Sequence, residues 1–277
     1  MFVKIKEYGV LVPGERGVDG QWCDGSMPME EAFKAHGVWI KQENGKSRAD
    51  IAKEEQRKIA ELPAKMGIRE MSFQGCGLGD LTLRKVAHIM KFNTTLETLN
   101  VPWNRVADEG ATFLGESLPL NRSLTSLDLG RNDIGDQGCE ALCQGLLRNS
   151  SLTRLHLDFN LNIDVGGVQS IAGVVKTNPY ITELGLSGIS IRAQGATLLA
   201  DALMANSTLT RLKLSEASIG PEGATALAKS LVPSGNQSLV SLDLSSNLIG
   251  KGLRTTRPTS VFAKPVSTLS SSLTLGI

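Results

Sequence analysis

Apolar residues fall in a fixed rhythm along most of this chain. An opening aliphatic stands at Ile68, Leu96, Leu124, Leu152, Ile181, Leu209 and Leu239, at steps of 28, 28, 28, 29, 28 and 30 residues. Counting it as place one, place four holds Met71, Leu99, Leu127, Leu155, Leu184, Leu212 and Leu242. Place six holds Phe73, Val101, Leu129, Leu157, Leu186, Leu214 and Leu244. Residues two apart share one face of a strand, so each unit opens with a short one. The second half changes period. Leu83, Val86 and Met90 fall three and seven apart, as do Cys139, Leu142 and Leu146, and Ala196, Leu199 and Leu203. That spacing is one face of a helix.

Polar positions repeat as well. Place nine holds Asn104, Asn132, Asn160 and Asn247, with Cys76, Ile189 and Ala217 in the other units. An Asn where strand bends into loop can satisfy backbone groups that no strand ladder reaches. Stacked units align these amides, and the ladder is expected to weaken at Ile189 and Ala217. Gly110, Gly138, Gly167, Gly195 and Gly223 precede the helical sets, which suits close approach of helix to strand. Repeat four carries one extra residue between Asn160 and Ile163. No unit can bury its apolar face alone, but neighbours side by side share a core. The expected fold is therefore an α/β solenoid, a horseshoe with parallel strands on the concave side and helices on the convex side.

The text LxxLxLxxN, an Ile-Gly-Asp type of turn, then Gly-Ala-x-x-Leu-x-x-x-Leu resembles the leucine-rich repeats of the ribonuclease-inhibitor type. Leu96 to Leu118 and Leu124 to Leu146 fit it almost throughout. In style the array is similar to those of NOD-like receptors and of Ran GTPase-activating protein.

The expected organisation has four parts. Residues 1–48 carry no repeat and receive no fold assignment. Residues 49–67 read as an N-terminal capping helix, with Ile51, Ile59, Leu62 and Met66 on one side and Pro63 near its end. Residues 68–252 form a repeat domain of seven units. Residues 253–277 contain two prolines and a Ser/Thr-rich run where a helix is due, and read as an irregular or disordered tail or the mark of a truncated chain.

Composition adds little chemistry. The net charge of +1 over 277 residues favours neither nucleic acid nor anionic membrane. No apolar run approaches the ~20 residues that cross a bilayer, and the N-terminus lacks a secretory apolar core. Four cysteines do not read as a disulfide framework. The expectation is a cytoplasmic protein. Gly45-Lys46-Ser47 lacks the glycine five residues earlier that a phosphate loop needs; Ile40 stands there. Five Asn-x-Ser/Thr sequons start at Asn93, Asn121, Asn149, Asn206 and Asn236, each just before the next unit's first leucine. They read as repeat architecture, with Asn in the left-handed conformation that ends a helix. Cys139 and Cys143 read as core packing, and His88 as solvated. No catalytic constellation, metal site or cofactor site is expected.

Alternation leaves places three, five and seven, with the loop-edge place eight, exposed on the strand face. Place five carries Asn100, Asp128, His156 and Gly185; place eight carries Trp103, Arg131 and Phe159 in consecutive units. Strands ~4.8 Å apart make that trio a contiguous ridge about 10 Å long. Trp and Arg are enriched at interface hot spots, and the core has no use for them there. The expected role is a non-catalytic interaction module whose protein partner contacts Trp103, Arg131, Phe159, Asn100, Asp128 and His156, with no nucleic acid, membrane or small-molecule substrate. Resemblance to the Ran regulator implies an alternative, a GTPase-activating protein with Arg131 or Arg105 supplying a cation to the transferring phosphate. Resemblance to NOD-like receptors implies another, a detached sensing part of a larger receptor.

Overall fold

The computed structural model describes residues 68–232 and 234–250, together with the backbone of residues 260–261. The expected capping helix, residues 1–48 and most of the tail lie outside the described residues.

Seven three-residue strands lie in one parallel sheet in sequence order: β1 (Glu70–Ser72), β2 (Thr98–Asn100), β3 (Ser126–Asp128), β4 (Arg154–His156), β5 (Glu183–Gly185), β6 (Arg211–Lys213) and β7 (Ser241–Asp243). A two-residue strand, β8 (Ser260–Val261), pairs antiparallel with β7. Six helices follow the first six strands: α1 (Asp80–Met90), α2 (Asp108–Ser117), α3 (Asp136–Leu146), α4 (Val165–Thr177), α5 (Arg192–Ala205) and α6 (Gly220–Ser230). The register steps by one repeat. Leu99 pairs with Leu127, Leu127 with Leu155, and Leu155 with Leu184. The chain is an open α/β solenoid of leucine-rich repeats.

Places four and six form the core. Leu99, Leu127, Leu129 and Leu157 have no solvent exposure, and helix residues Leu83, Leu142, Leu199 and Leu227 meet them from the other side. Strands repeat at ~4.8 Å while packed helices need 8–10 Å. The mismatch bends such a stack with the strands inside. Cys139 and Cys143 are buried in this core. The Cys139 thiol is pushed well up in pKa, first by its hydrogen bond with Cys143 and then by burial, so it is an inert packing group.

Three polar ladders join the units. The first is the place-nine amide. Asn132 Nδ2 donates to the carbonyls of Val101 and Leu129, and its Oδ1 accepts from Val106 N. Asn104, Asn160 and Asn247 do the same in their units. Ile189 and Ala217 interrupt the ladder and are fully buried, so apolar packing takes the amide's place.

The second ladder is made by the sequon asparagines. Asn149 Oδ1 accepts from Ser151 N and Leu152 N, and its Nδ2 donates to the carbonyls of Leu118 and Asn121 one unit back. Asn121, Asn206 and Asn236 repeat the arrangement, and Asn178 joins them without a sequon. This corrects the expected left-handed geometry. Asn178 and Asn206 have extended backbone, at φ −81° and −93°. The amide forms an Asx turn instead.

The third ladder caps helices across units. Asp108 Oδ1 accepts from Gly135 N and Gly138 N at the start of α3. Asp80 does this for α2 and Asp136 for α4. The first helical N–H groups need an acceptor, and the Ala107 and Gly135 caps offer no side-chain bond. The preceding unit supplies the carboxylate. This also corrects the reading of the helix-start glycines. A Cβ at Gly138 would stand 2.6 Å from Asp108 Oδ1 and one at Gly223 2.9 Å from Ala196 Cβ, so the close neighbours are the capping aspartate in early units and the neighbouring helix in later ones, not the strand.

Candidate interaction face

Place eight lies within the turn that leaves each strand, and the backbone there is left-handed in every unit. Trp103, Arg131, Phe159, Glu216 and Ser246 have φ between 54° and 60°; Gly75 and Gly188 have φ 66° and 71°. The cause is the ladder between units. Trp103 N reaches Gly130 O, Arg131 N reaches Asp158 O, and Phe159 N reaches Ser187 O. Left-handed geometry costs a non-glycine residue about 1–2 kcal/mol, and it is unusual for bulky side chains.

The left-handed turns stand three large side chains in a row. The Arg131 guanidinium carbon lies 4.2 Å from the centre of the Trp103 ring and 4.0 Å from that of Phe159. The cation is therefore sandwiched, both faces covered by aromatic π density. Trp103 is 56% exposed, and Arg131 is exposed too. Phe159 is half-buried because it lies over Gly188, where a Cβ would come within 2.7 Å of Cε1. Beside the sandwich is an open hollow of about 310 Å³ lined by Arg131, Asn132, Asp133, Phe159, Leu161 and Asn162. Leu161 is 69% exposed. Its signal in the sequence was the extra residue of repeat four.

Asn100, Asp128 and His156 are register partners on β2, β3 and β4. All three are half-buried. Asn100 Nδ2 donates to Glu70 Oε1 at 3.2 Å, and Asp128 Oδ1 accepts from Gly130 N at 2.8 Å. His156 lies between two carboxylates, with Nδ1 3.2 Å from Asp158 Oδ2 and Nε2 3.5 Å from Glu183 Oε1. Glu183 also meets Lys213 Nζ at 3.4 Å and Arg211 at 3.4 Å. Burial raises the Glu183 pKa, but Lys213, His156 and Arg211 outweigh it and hold the carboxyl below its ordinary value. Asp158 follows the same logic: burial raises it, while donors from His156 and Ser187 bring it lower.

Two expectations of exposure fail. Gly185 is buried, since His156 and Asp158 fold over it; a Cβ there would meet His156 Nδ1 at 2.5 Å. Ser187 and Gly130 are buried on the same face. His88 is also not solvated. It is half-buried, its ring 5.5 Å from that of Phe92, and its Nε2 is buried without a hydrogen-bond partner. Burial first, then Lys91, lowers its pKa. Arg105 is exposed. Among the described residues no group of three or more His, Cys, Asp or Glu is placed to hold a metal, and no helix is long and apolar enough to cross a membrane.

The family model described as Leucine Rich repeat matches residues 92–115, 120–143, 148–172, 205–228 and 235–252. No curated protein matches the chain. Among solved structures, the leiomodin-1 actin-binding site 2 is 23% identical over 58% of this chain and 91% of its own, with a TM-score of 0.44. The tropomodulin C-terminal domain of Caenorhabditis elegans is 15% identical over 54% of this chain and 92% of its own, with a TM-score of 0.45. Neither likeness bears on what this chain binds. The five matched stretches fall in register with the strands and helices described above, and the chain accordingly carries leucine-rich repeats.

Proposed function

We propose that this chain is a protein-interaction module without chemistry of its own, and that its partner contacts the strand face at Trp103, Arg131 and Phe159, with Asn100, Asp128 and His156 beside them. One observation carries the reading: three bulky side chains stand in consecutive left-handed turns, where the other units carry Gly75, Gly188, Glu216 and Ser246. Each costs about 1–2 kcal/mol, and a cation–π contact at an exposed site returns about 0.5–1 kcal/mol. The core is built from places four and six and gains nothing from them. Strain of this kind clusters where a surface is used. Seven strands at ~4.8 Å span ~30 Å, enough for one side of a standard interface of about 800 Å².

The experiment is affinity capture with the full chain, followed by mass spectrometry, comparing the original protein with Trp103→Ala and Phe159→Ala. Partners that disappear in both variants support the patch. Equal capture by all three proteins counts against it. A GTPase-activating role would use Arg131 or Arg105, and single-turnover GTP hydrolysis by small GTPases separates the two: no acceleration removes it.

A further inference from the structure

We propose that the ridge recognises a carboxylate next to an apolar side chain in its protein partner, the carboxylate on the edge of Arg131 and the apolar group on Leu161. This rests on the reading of the ridge as the contact surface. Both faces of the Arg131 guanidinium are taken by Trp103 and Phe159. Only its N–H edges remain, and among the described residues they meet no carboxylate within 4.0 Å and find no hydrogen-bond acceptor. Two of the nearby acids are engaged elsewhere. Asp128 accepts from Gly130 N, and Asp158 serves His156 and Ser187. A planar donor fork clamped between two rings has already lost its rotamer freedom. It presents the in-plane geometry that a carboxylate fills with two parallel hydrogen bonds.

The ligand class follows from the rest of the hollow. Phe159 and the exposed Leu161 give one wall an apolar surface, and the exposed Asn162 offers a neutral amide, while Asn132 is spent on the ladder between units. Asp133 lines the same hollow. Its negative charge opposes any anion, and it opposes a dianionic phosphate about twice as strongly as a carboxylate. The fit is to Asp or Glu beside Leu, Ile, Val or Met, not to a phosphorylated residue.

The test is selection of a random displayed peptide library on the full chain. Enriched peptides are then titrated against the original protein, Arg131→Lys, Arg131→Gln, Leu161→Ser, Trp103→Ala and Phe159→Ala, with far-ultraviolet circular dichroism as the folding control. The expected result is enrichment of an acidic residue beside an aliphatic one. Affinity falls about tenfold or more in Arg131→Gln and several-fold in Arg131→Lys, which keeps the charge but loses the planar fork. Leu161→Ser weakens the same peptides. Peptides that lack an acid, or bind Arg131→Gln equally well, overturn the carboxylate assignment. If those still fail on Trp103→Ala, the ridge stands as the contact surface and only its ligand changes. Peptides indifferent to Trp103, Phe159 and Arg131 alike overturn both readings, and so does a library that yields nothing over an unrelated control protein. Tighter binding when phosphoserine replaces the acid overturns the choice of carboxylate over phosphate.

Discussion

The ring of Phe159 lies over Gly188, in the space a side chain at that position would take. Phe159 is the outer plate of the sandwich around Arg131. The absence of one Cβ in the fifth unit thus positions a cation in the third. Replacing Gly188 by Ala adds a contact within 2.7 Å of Cε1 at a backbone φ of 71°. Gly188→Ala is expected to lower unfolding stability by about 1–2 kcal/mol and to displace the ring. Chemical denaturation reads the first effect. Loss of the partners captured by the original protein reads the second.

Trp103→Gly is expected to separate folding from binding. Glycine removes the left-handed strain of about 1–2 kcal/mol, gives up about 0.5–1 kcal/mol of stacking and costs about 0.5–1 kcal/mol in chain entropy. These terms nearly cancel. Unfolding free energy is expected to stay within about 1 kcal/mol of the original, while partner capture drops. A large loss of stability would mean that Trp103 serves the fold.

Asn160→Ala is expected to be costly. Asn160 is fully buried and bonds the carbonyls of Leu129 and Leu157 and the N–H of Ile134. Truncation leaves the Ile134 N–H without a partner in the core and takes one donor from each carbonyl, Leu129 O keeping Asn132 Nδ2 and Leu157 O keeping the N–H of residue 160. The expected loss is about 2–4 kcal/mol, measured as a lower urea midpoint with an unchanged slope.

The sequons lead to a different test. Asn93, Asn121, Asn149, Asn206 and Asn236 are all buried, and the amides of the last four donate to carbonyls of the preceding unit. A sugar on the amide nitrogen would remove donors that reach the preceding unit. Directed through a secretory pathway, the folded chain is expected to carry no glycan at these positions. A folded, glycosylated product seen by intact mass spectrometry would contradict the ladder.

Acid is expected to weaken the fold through Asp158 and Glu183. Both carboxyls have folded pKa values below their ordinary ones. Between folded and unfolded pKa the unfolded chain holds more protons, so unfolding free energy rises with pH there. The contribution is complete above the ordinary carboxylate range and fades as pH falls through it. Denaturation midpoints measured from pH 6 down to pH 3 are expected to fall less steeply for Glu183→Gln than for the original protein.

The leucine rhythm made the core readable in advance, because Leu127 and Leu129 two apart leave a strand only one way to bury both. Place-nine asparagines were equally legible, since an amide at a fixed turn has one evident use. The ridge was readable as a column of large residues at one place. Its left-handed backbone was not. That conformation is imposed by bonds such as Arg131 N to Asp158 O, which join units and leave no local mark. The packing of Arg131 on two rings rather than one depends on Gly188, two units further on. Gly185 and Ser187 are covered by neighbours of the same face, and alternation along one strand says nothing about such lateral cover. The aspartate ladder did leave a mark in the sequence: Asp80, Asp108 and Asp136 stand 28 residues apart, with the glycines they bond 30, 30 and 31 residues on.

That ladder makes the first units interchangeable. Asp108 completes α3, and Asp136 completes α4, through the same two backbone groups. Excision of one whole 28-residue period from Leu124 onward would bring Asp108 against the start of α4, where Asp164 and Gly167 offer the same pair of N–H groups. The joint would close again without a new invention. The licence ends at the fourth helix, since Val165, Arg192 and Gly220 open the next three and none carries a carboxylate. The early part of the array is thus a stretch that evolution can lengthen or shorten in whole periods, while the later part has become a fixed sequence of individual fittings.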